Sequence, residues 1–193
     1  MRKFFSSLLE VLEIALIAVV AVYLVRTFLV QPFLVSGTSM YPNFQNGDYL
    51  LVDELTYRFR SPERGEVVVF HDPQDYSTYF IKRIIGLPGE KVVISSNAIT
   101  VFDKQDPKGF ALDESYLPSG TPTAIDSCNG GLLSGGTCTY ALSSSSYLAF
   151  GDNRPFSYDS RSWGPLPTGD IVGLVRLRLW PLNAITAFAA PKY

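Results

Sequence analysis

Two short stretches carry residue types suited to acyl transfer. The first is Ser36-Gly37-Thr38-Ser39-Met40-Tyr41-Pro42, a hydroxyl on a glycine-containing, proline-terminated turn where backbone N–H groups can converge. The second is Tyr79-Phe80-Ile81-Lys82-Arg83-Ile84-Ile85-Gly86, a lysine set among apolar residues. On a strand, residues two apart share a face, so Phe80, Lys82 and Ile84 point one way and Tyr79, Ile81, Arg83 and Ile85 the other. A lysine facing inward between two large apolar neighbours loses hydration, which disfavours the ammonium and lowers its pKa. A neutral amine can then accept the proton of a serine hydroxyl, the part usually played by histidine. Parity alone leaves the opposite arrangement open, with Lys82 outward and Arg83 inward. Ser39 by itself reads as a turn residue; paired with a base, its own N–H becomes an oxyanion donor.

A third stretch, Gly151-Asp152-Asn153-Arg154-Pro155-Phe156-Ser157-Tyr158-Asp159-Ser160-Arg161, is dense in hydrogen-bonding side chains for a loop. It reads either as a solvated turn with an Asp159–Arg161 pair or as a polar clamp in which Ser157 or Ser160 orients the lysine amine. His71 is the sole histidine, beside Asp72 at a strand end, so a Ser-His-Asp scheme has one candidate and that candidate has the setting of a structural residue. Cys128 and Cys138 share one Gly/Ser-rich loop. They are either free thiols or a local disulfide; no His or further Cys stands near to complete a zinc site. As a disulfide the pair would stabilise by roughly 2–3 kcal/mol and imply an oxidising compartment. No metal or cofactor is expected.

These residues need positioning, and the chain supplies two kinds of element. Val11 to Val30, VLEIALIAVVAVYLVRTFLV, is interrupted only by Glu13 and Arg26. Twenty helical residues at about 1.5 Å each span roughly 30 Å, the thickness of a hydrocarbon core. Arg2 and Lys3 precede it, so the N-terminus is expected in the cytoplasm and the remainder outside. A cleaved leader is the rival reading, but no small-x-small site follows the run. The sequence therefore divides into a cytoplasmic N-terminus (1–10), a transmembrane anchor (11–30) that contacts the lipid bilayer, and an extracytoplasmic domain (31–193). The net charge of −2, without a basic stripe, argues against nucleic acid.

After the anchor the apolar period shortens to two. Strands are expected at Phe33–Val35, Asp48–Asp53, Glu66–Phe70, Tyr79–Ile85, Lys91–Ile94, Ala98–Phe102, Ser146–Phe150 and Ile171–Leu179. Asn46-Gly47 and the glycines and prolines between the others mark turns. Residues 103–145 read as an insertion, rich in Asp, Pro, Gly and Ser and carrying both cysteines. The tail Leu182–Ala190 is apolar and would lie on the sheet or the membrane. The fold class is mostly β, an antiparallel, partly barrel-like domain tethered by one N-terminal transmembrane helix.

Four blocks in one order carry a resemblance: Ser39-Met40-Tyr41-Pro42; Gly47-Asp48-Tyr49-Leu50-Leu51-Val52; Arg64-Gly65-Glu66-Val67-Val68-Val69-Phe70 running on to Lys82-Arg83-Ile84-Ile85-Gly86-Leu87-Pro88-Gly89; and Gly151-Asp152-Asn153 with Ser157, Asp159, Ser160 and Arg161. In these the chain resembles bacterial type I signal peptidases, from the anchor almost to the C-terminus. The resemblance implies Ser39 as nucleophile, Lys82 as general base and Ser157 as the group that orients the amine. It also implies that Arg83, Asp152, Asp159 and Arg161 hold the site together, and that Phe33, Val35, Met40 and Ile81 line substrate pockets. The implied substrates are signal peptides of exported preproteins, cut after small residues at −1 and −3. The chain departs from some members at Gly37, where they carry a hydroxyl that assists the oxyanion hole; Ser36 is one residue too early for that part. Two alternatives are a Ser-Lys self-cleaving protease, disfavoured by the apolar span, and a non-catalytic membrane-anchored β domain that binds partners.

Overall fold

The computed structural model describes residues 2–28, 30–95, 98–125 and 127–191, with side chains described at 7, 9–23 and from 31 onward within those ranges. The charges of Arg2, Lys3 and Arg26 and the turn at Ser96-Asn97 lie outside the described residues. The chain opens with α1 (Arg2–Phe28). Its apolar side chains from Leu9 to Tyr23 are exposed on every side of the helix, with no polar stripe to mark a buried face. Among the described residues no helix is long and apolar enough to cross a membrane. The described side chains of α1 end at Tyr23, and residues 7–23 rise only about 26 Å against a hydrocarbon core of roughly 30 Å.

The strands are β1 (Val30–Leu34), β2 (Tyr49–Asp53), β3 (Val67–His71), β4 (Tyr79–Gly86), β5 (Lys91–Ser95), β6 (Ala98–Phe102), β7 (Phe110–Ala111), β8 (Leu132–Ser134), β9 (Thr137–Ala141), β10 (Ser146–Phe150), β11 (Leu166–Pro167), β12 (Ile171–Trp180) and β13 (Thr186–Ala187). Two short helices, α2 (Thr56–Phe59) and α3 (Ser160–Trp163), interrupt them. The helix ends before the expected stop at Gln31-Pro32: the chain is already extended at Val30, which pairs with Asp53. Pro32 is tolerated there because β1 is an edge strand, where a missing N–H breaks no ladder.

Among the described residues the strands form two antiparallel sheets. The larger runs β1-β2-β12-β3-β4-β10-β11, with β13 beside β12. The smaller runs β7-β6-β5-β9-β8. Strands β7, β8 and β9 come from residues 103–145, so that segment completes a sheet begun by the β5–β6 hairpin. The barrel-like expectation needs correction. β1 pairs only with β2, so the larger sheet is curled but open. Each adjacent pair is antiparallel, so β1 and β4 run in the same direction on either side of the gap. The tail docks on the sheet, with the Phe188 ring 4.4 Å from that of Phe44.

Alternation explains most of the core. In β2, β5 and β6 every second residue is buried. In β3 and β4 both faces are covered, so Val67–Phe70 and Lys82–Gly86 are buried without alternation. β12 threads between β2 and β3, and Gly173 lets it approach. A Cβ there would meet the Asp53 carbonyl oxygen at 2.7 Å and Val52 Cγ1 at 2.8 Å. Backbone atoms cannot yield as a side-chain tip can. Gly173→Ala is therefore expected to destabilise the domain by about 1–3 kcal/mol, read as a lower midpoint in thermal unfolding; an unchanged midpoint would show that β12 can shift freely.

Candidate active site

Ser39 lies in the loop between β1 and β2. Two backbone bonds close the neck of that loop: the Val35 N–H donates to the Asp48 carbonyl and the Gly47 N–H to the Val35 carbonyl, each at 2.9 Å. Gly47 has φ +91°, a conformation that favours glycine. Inside the loop the Gly37 N–H donates to Asn46 Oδ1 at 2.9 Å and the Tyr41 N–H to the Thr38 carbonyl at 3.0 Å. Met40 and Phe44 plug the loop into a core with Val35, Leu50, Val52, Val67, Val69 and Val175. The Ser39 N–H has no hydrogen-bond partner among the described residues.

Lys82 comes from β4, opposite Val68 of β3. It is only 3% exposed, and Arg83 only 6%, so strand parity does not choose between them. The Lys82 ammonium donates to Ser39 Oγ at 2.8 Å and to the Ile81 carbonyl at 2.9 Å. Its Nζ also lies 5.3 Å from the centroid of the Phe80 ring. Burial lowers its pKa from 10.5 to about 8, against the opposing pull of the Asp159 and Asp152 carboxylates. Near neutral pH an appreciable fraction of the amine is unprotonated, and in that form the 2.8 Å contact can run the other way, from the serine hydroxyl to nitrogen.

Buried ion pairs frame the serine and lysine. Arg83 grips Asp152 through Nε to Oδ1 at 2.8 Å and Nη2 to Oδ2 at 2.6 Å, while its Nη1 donates to the Gly65 carbonyl. Arg161 grips Asp159 in the same two-point manner, at 2.9 and 2.8 Å. Asp159 caps α3 and also accepts the Gly151 N–H at 3.1 Å. Ser160 Oγ accepts the Ala149 N–H at 3.0 Å, joining α3 to β10. Ser157 makes no hydrogen bond among the described residues, although its Oγ is buried. It packs beside Gly151, where an added Cβ would fall 2.1 Å from Ser157 Oγ and 2.4 Å from the Ser39 carbonyl oxygen.

A cleft of about 300 Å³ opens on Ser39 and Lys82, with walls from Phe33, Val35, Val69, Phe80, Ile81, Phe156 and Tyr158. Met40 is not a wall residue: it is fully buried, and its Sδ accepts the Asp152 N–H at 3.4 Å. His71 stacks on Tyr76 at 4.3 Å and packs against Tyr79, with no contact to Ser39. Among the described residues no group of His, Cys, Asp or Glu could hold a metal ion. Cys128 and Cys138 are joined as a disulfide.

Sequence reasoning passed over several residues that reach this site. Asn43 Nδ2 donates to Asp152 Oδ2 at 2.8 Å and to the Tyr116 carbonyl at 3.0 Å. The Tyr116 ring lies 4.2 Å from the Arg83 guanidinium. Arg154, 1% exposed, donates to the Gly151 carbonyl, Thr123 Oγ1 and Tyr116 Oη, and pairs with Glu114 at 2.5 Å. Arg154 stood inside the polar stretch and Asn43 just past Pro42. Nothing local marked Glu114, Tyr116 or Thr123 for this site, since Arg154, which they hold, is more than thirty residues away.

Residues 8–180 match the family described as signal peptidase, peptidase S26. The chain is 34% identical over 185 residues to the probable signal peptidase I-2 of Synechocystis sp., covering 93% of this chain and 77% of that protein. It is 33% identical over 181 residues to signal peptidase I P of Bacillus subtilis subsp. natto, covering 93% of each. A solved signal peptidase I from Enterococcus faecalis V583 aligns with a TM-score of 0.45 at 24% identity, over 60% of this chain and 97% of that one.

Burying Lys82 costs stability, and the cost depends on pH. Its folded pKa of about 8 lies below the 10.5 of an ordinary lysine, so the penalty is full below pH 8 and is relieved as pH rises toward 10.5. Lys82→Met, which keeps the bulk without the charge, is expected to stabilise the protein at pH 7 by about 1 kcal/mol or more. The gain should shrink by pH 10 in paired thermal melts. A gain that does not change with pH would mean that the amine is not desolvated.

Proposed function

The chain belongs to the peptidase S26 family of signal peptidases, and we propose that it removes signal peptides from exported preproteins with Ser39 as nucleophile and Lys82 as general base. The observation that carries this is the 2.8 Å contact between a half-buried serine hydroxyl and a desolvated lysine amine on the floor of an apolar cleft. Neutral Lys82 takes the Ser39 proton as Oγ attacks the scissile carbonyl carbon. The Ser39 N–H stabilises the oxyanion, unaided by a hydroxyl at Gly37. The lysine ammonium then gives its proton to the leaving amine of the mature protein, leaving the signal peptide as an ester on Ser39. Neutral again, Lys82 activates the water that hydrolyses the ester. The unsatisfied Ser157 Oγ supports a part for that residue in orienting the amine. Arg83, Asp152, Asp159 and Arg161 act by holding strands and turns in place.

The substrate binds extended, in the gap of the curled sheet. The outer edge of β1 is unpaired, and β10 pairs with β4 only from Arg83 onward, so Tyr79–Lys82 also offer a free edge. Phe33, Val35 and Ile81 leave room for small side chains at −1 and −3, and Met40 backs that wall from beneath. The catalytic domain sits outside the cytoplasm on the anchor. The α1 backbone runs for 27 residues, about 40 Å at ~1.5 Å each, which exceeds a hydrocarbon core. The pairings Leu34↔Tyr49 and Tyr49↔Trp180 set three exposed apolar side chains in a row across β1, β2 and β12, a ridge suited to the bilayer interface.

In a preprotein cleavage assay, Ser39→Ala and Lys82→Ala should each lower kcat/KM by roughly 10³-fold or more. Near-wild-type cleavage by either would sink the assignment. The base must be unprotonated, so kcat/KM should rise about tenfold per pH unit below pH 8 and level off above it. A profile flat between pH 6 and 9 would exclude Lys82 as the base.

A further inference from the structure

We propose that the Asn153 side chain is a positioning residue for the oxyanion hole, acting through the Thr38–Ser39 peptide; this rests on the assignment of Ser39 as nucleophile. Asn153 Nδ2 donates to the Thr38 carbonyl at 3.0 Å, and the Asn153 N–H donates to the Ser39 carbonyl at 3.0 Å. The Tyr41 N–H also donates to the Thr38 carbonyl at 3.0 Å, so both lone pairs of that oxygen are engaged. The Thr38 carbonyl and the Ser39 N–H belong to one peptide unit. Of the X–Pro and other bonds, only Tyr41-Pro42 and Trp180-Pro181 are cis among the described residues, so this unit is trans and its N–H points opposite to its C=O.

Two consequences follow. Holding the carbonyl at the 151–153 turn turns the N–H the other way, where it meets no acceptor among the described residues. Donors on the carbonyl oxygen also draw electron density toward it, which makes the N–H of the same unit a stronger donor. The need for this is local. Gly37 brings no hydroxyl, and its own N–H is spent on Asn46 Oδ1. The hole therefore depends on how well one N–H is aimed and polarised. Asn153 has a second anchor in sequence: its neighbour Asp152 is locked by Arg83 and Asn43, which fixes the backbone from which the amide reaches.

The test uses the full chain in detergent with Asn153→Ala. Three readouts are compared with wild type: kcat/KM on a preprotein, the affinity of an Ala-Xaa-Ala peptide aldehyde, and the affinity of the same peptide as its C-terminal alcohol. The aldehyde accepts Ser39 Oγ at its carbonyl carbon, the serine proton passes to Lys82, and the former carbonyl oxygen enters the hole. The alcohol fills the cleft without an oxyanion. Asn153→Ala should lower kcat/KM and aldehyde affinity by about tenfold or more, leave alcohol affinity within about twofold, and leave the pH midpoint of kcat/KM in place. Equal losses for aldehyde and alcohol would overturn the proposal in favour of a general loss of structure, as would no loss of aldehyde affinity or a displaced midpoint. Failure of the Ser39 assignment is distinguishable, because then wild-type protein would neither cleave the preprotein nor prefer the aldehyde.

Discussion

The burial of one amine organises the site. A lysine can take the Ser39 proton only when unprotonated, and at Lys82 burial is what favours the neutral amine. Carboxylates work against it: Asp152 and Asp159 both favour the ammonium. Each of those carboxylates is held by a guanidinium at two points, Arg83 on Asp152 and Arg161 on Asp159. The pairing tempers their pull on the lysine while still satisfying buried oxygens that would otherwise be costly. The ion pairs are thus part of the electrostatics of the Lys82 amine as well as braces for the backbone.

The second constraint is topological. Ser39 and Lys82 sit on opposite sides of an open gap, one after β1 and the other on β4, with three strands between them in the sheet order. Curling of the sheet brings them within hydrogen-bonding distance, while the gap keeps the barrel from closing. The 151–161 turn then stitches the two sides. Asn153 bonds the Ser39 loop, Asp152 bonds Arg83 next to the lysine, and Asp159 bonds Gly151. Residues of the 103–145 segment hold that turn from outside, through Glu114, Tyr116 and Thr123 around Arg154.

Much of this was legible in the sequence, because alternation and turn chemistry are local. The strand at Ser146–Phe150 and the strand pair across Ser95–Ala98 follow from period and punctuation alone. Parity failed at Lys82 and Arg83 because β4 is covered on both faces, so an inward lysine and an inward arginine coexist. Pro32 suggested a helix stop, but the chain had already turned into an edge strand that tolerates it. The family resemblance implied Met40 as a pocket wall; the Met40–Phe44 turn rolls it into the core instead. Asn43, Arg154 and Tyr116 could not be assigned, since their partners are set by tertiary contacts that leave no periodic trace.

The most direct test of this account is the ionisation of Lys82 itself. Lysine-labelled protein, titrated by NMR with Lys82→Met as the assignment control, would report the amine without reference to turnover. The account predicts one lysine signal titrating with a midpoint near pH 8 and absent from the variant. A Lys82 midpoint in the ordinary lysine range, near 10.4, would contradict it, because an amine that holds its proton so tightly could not take one from Ser39 near neutral pH.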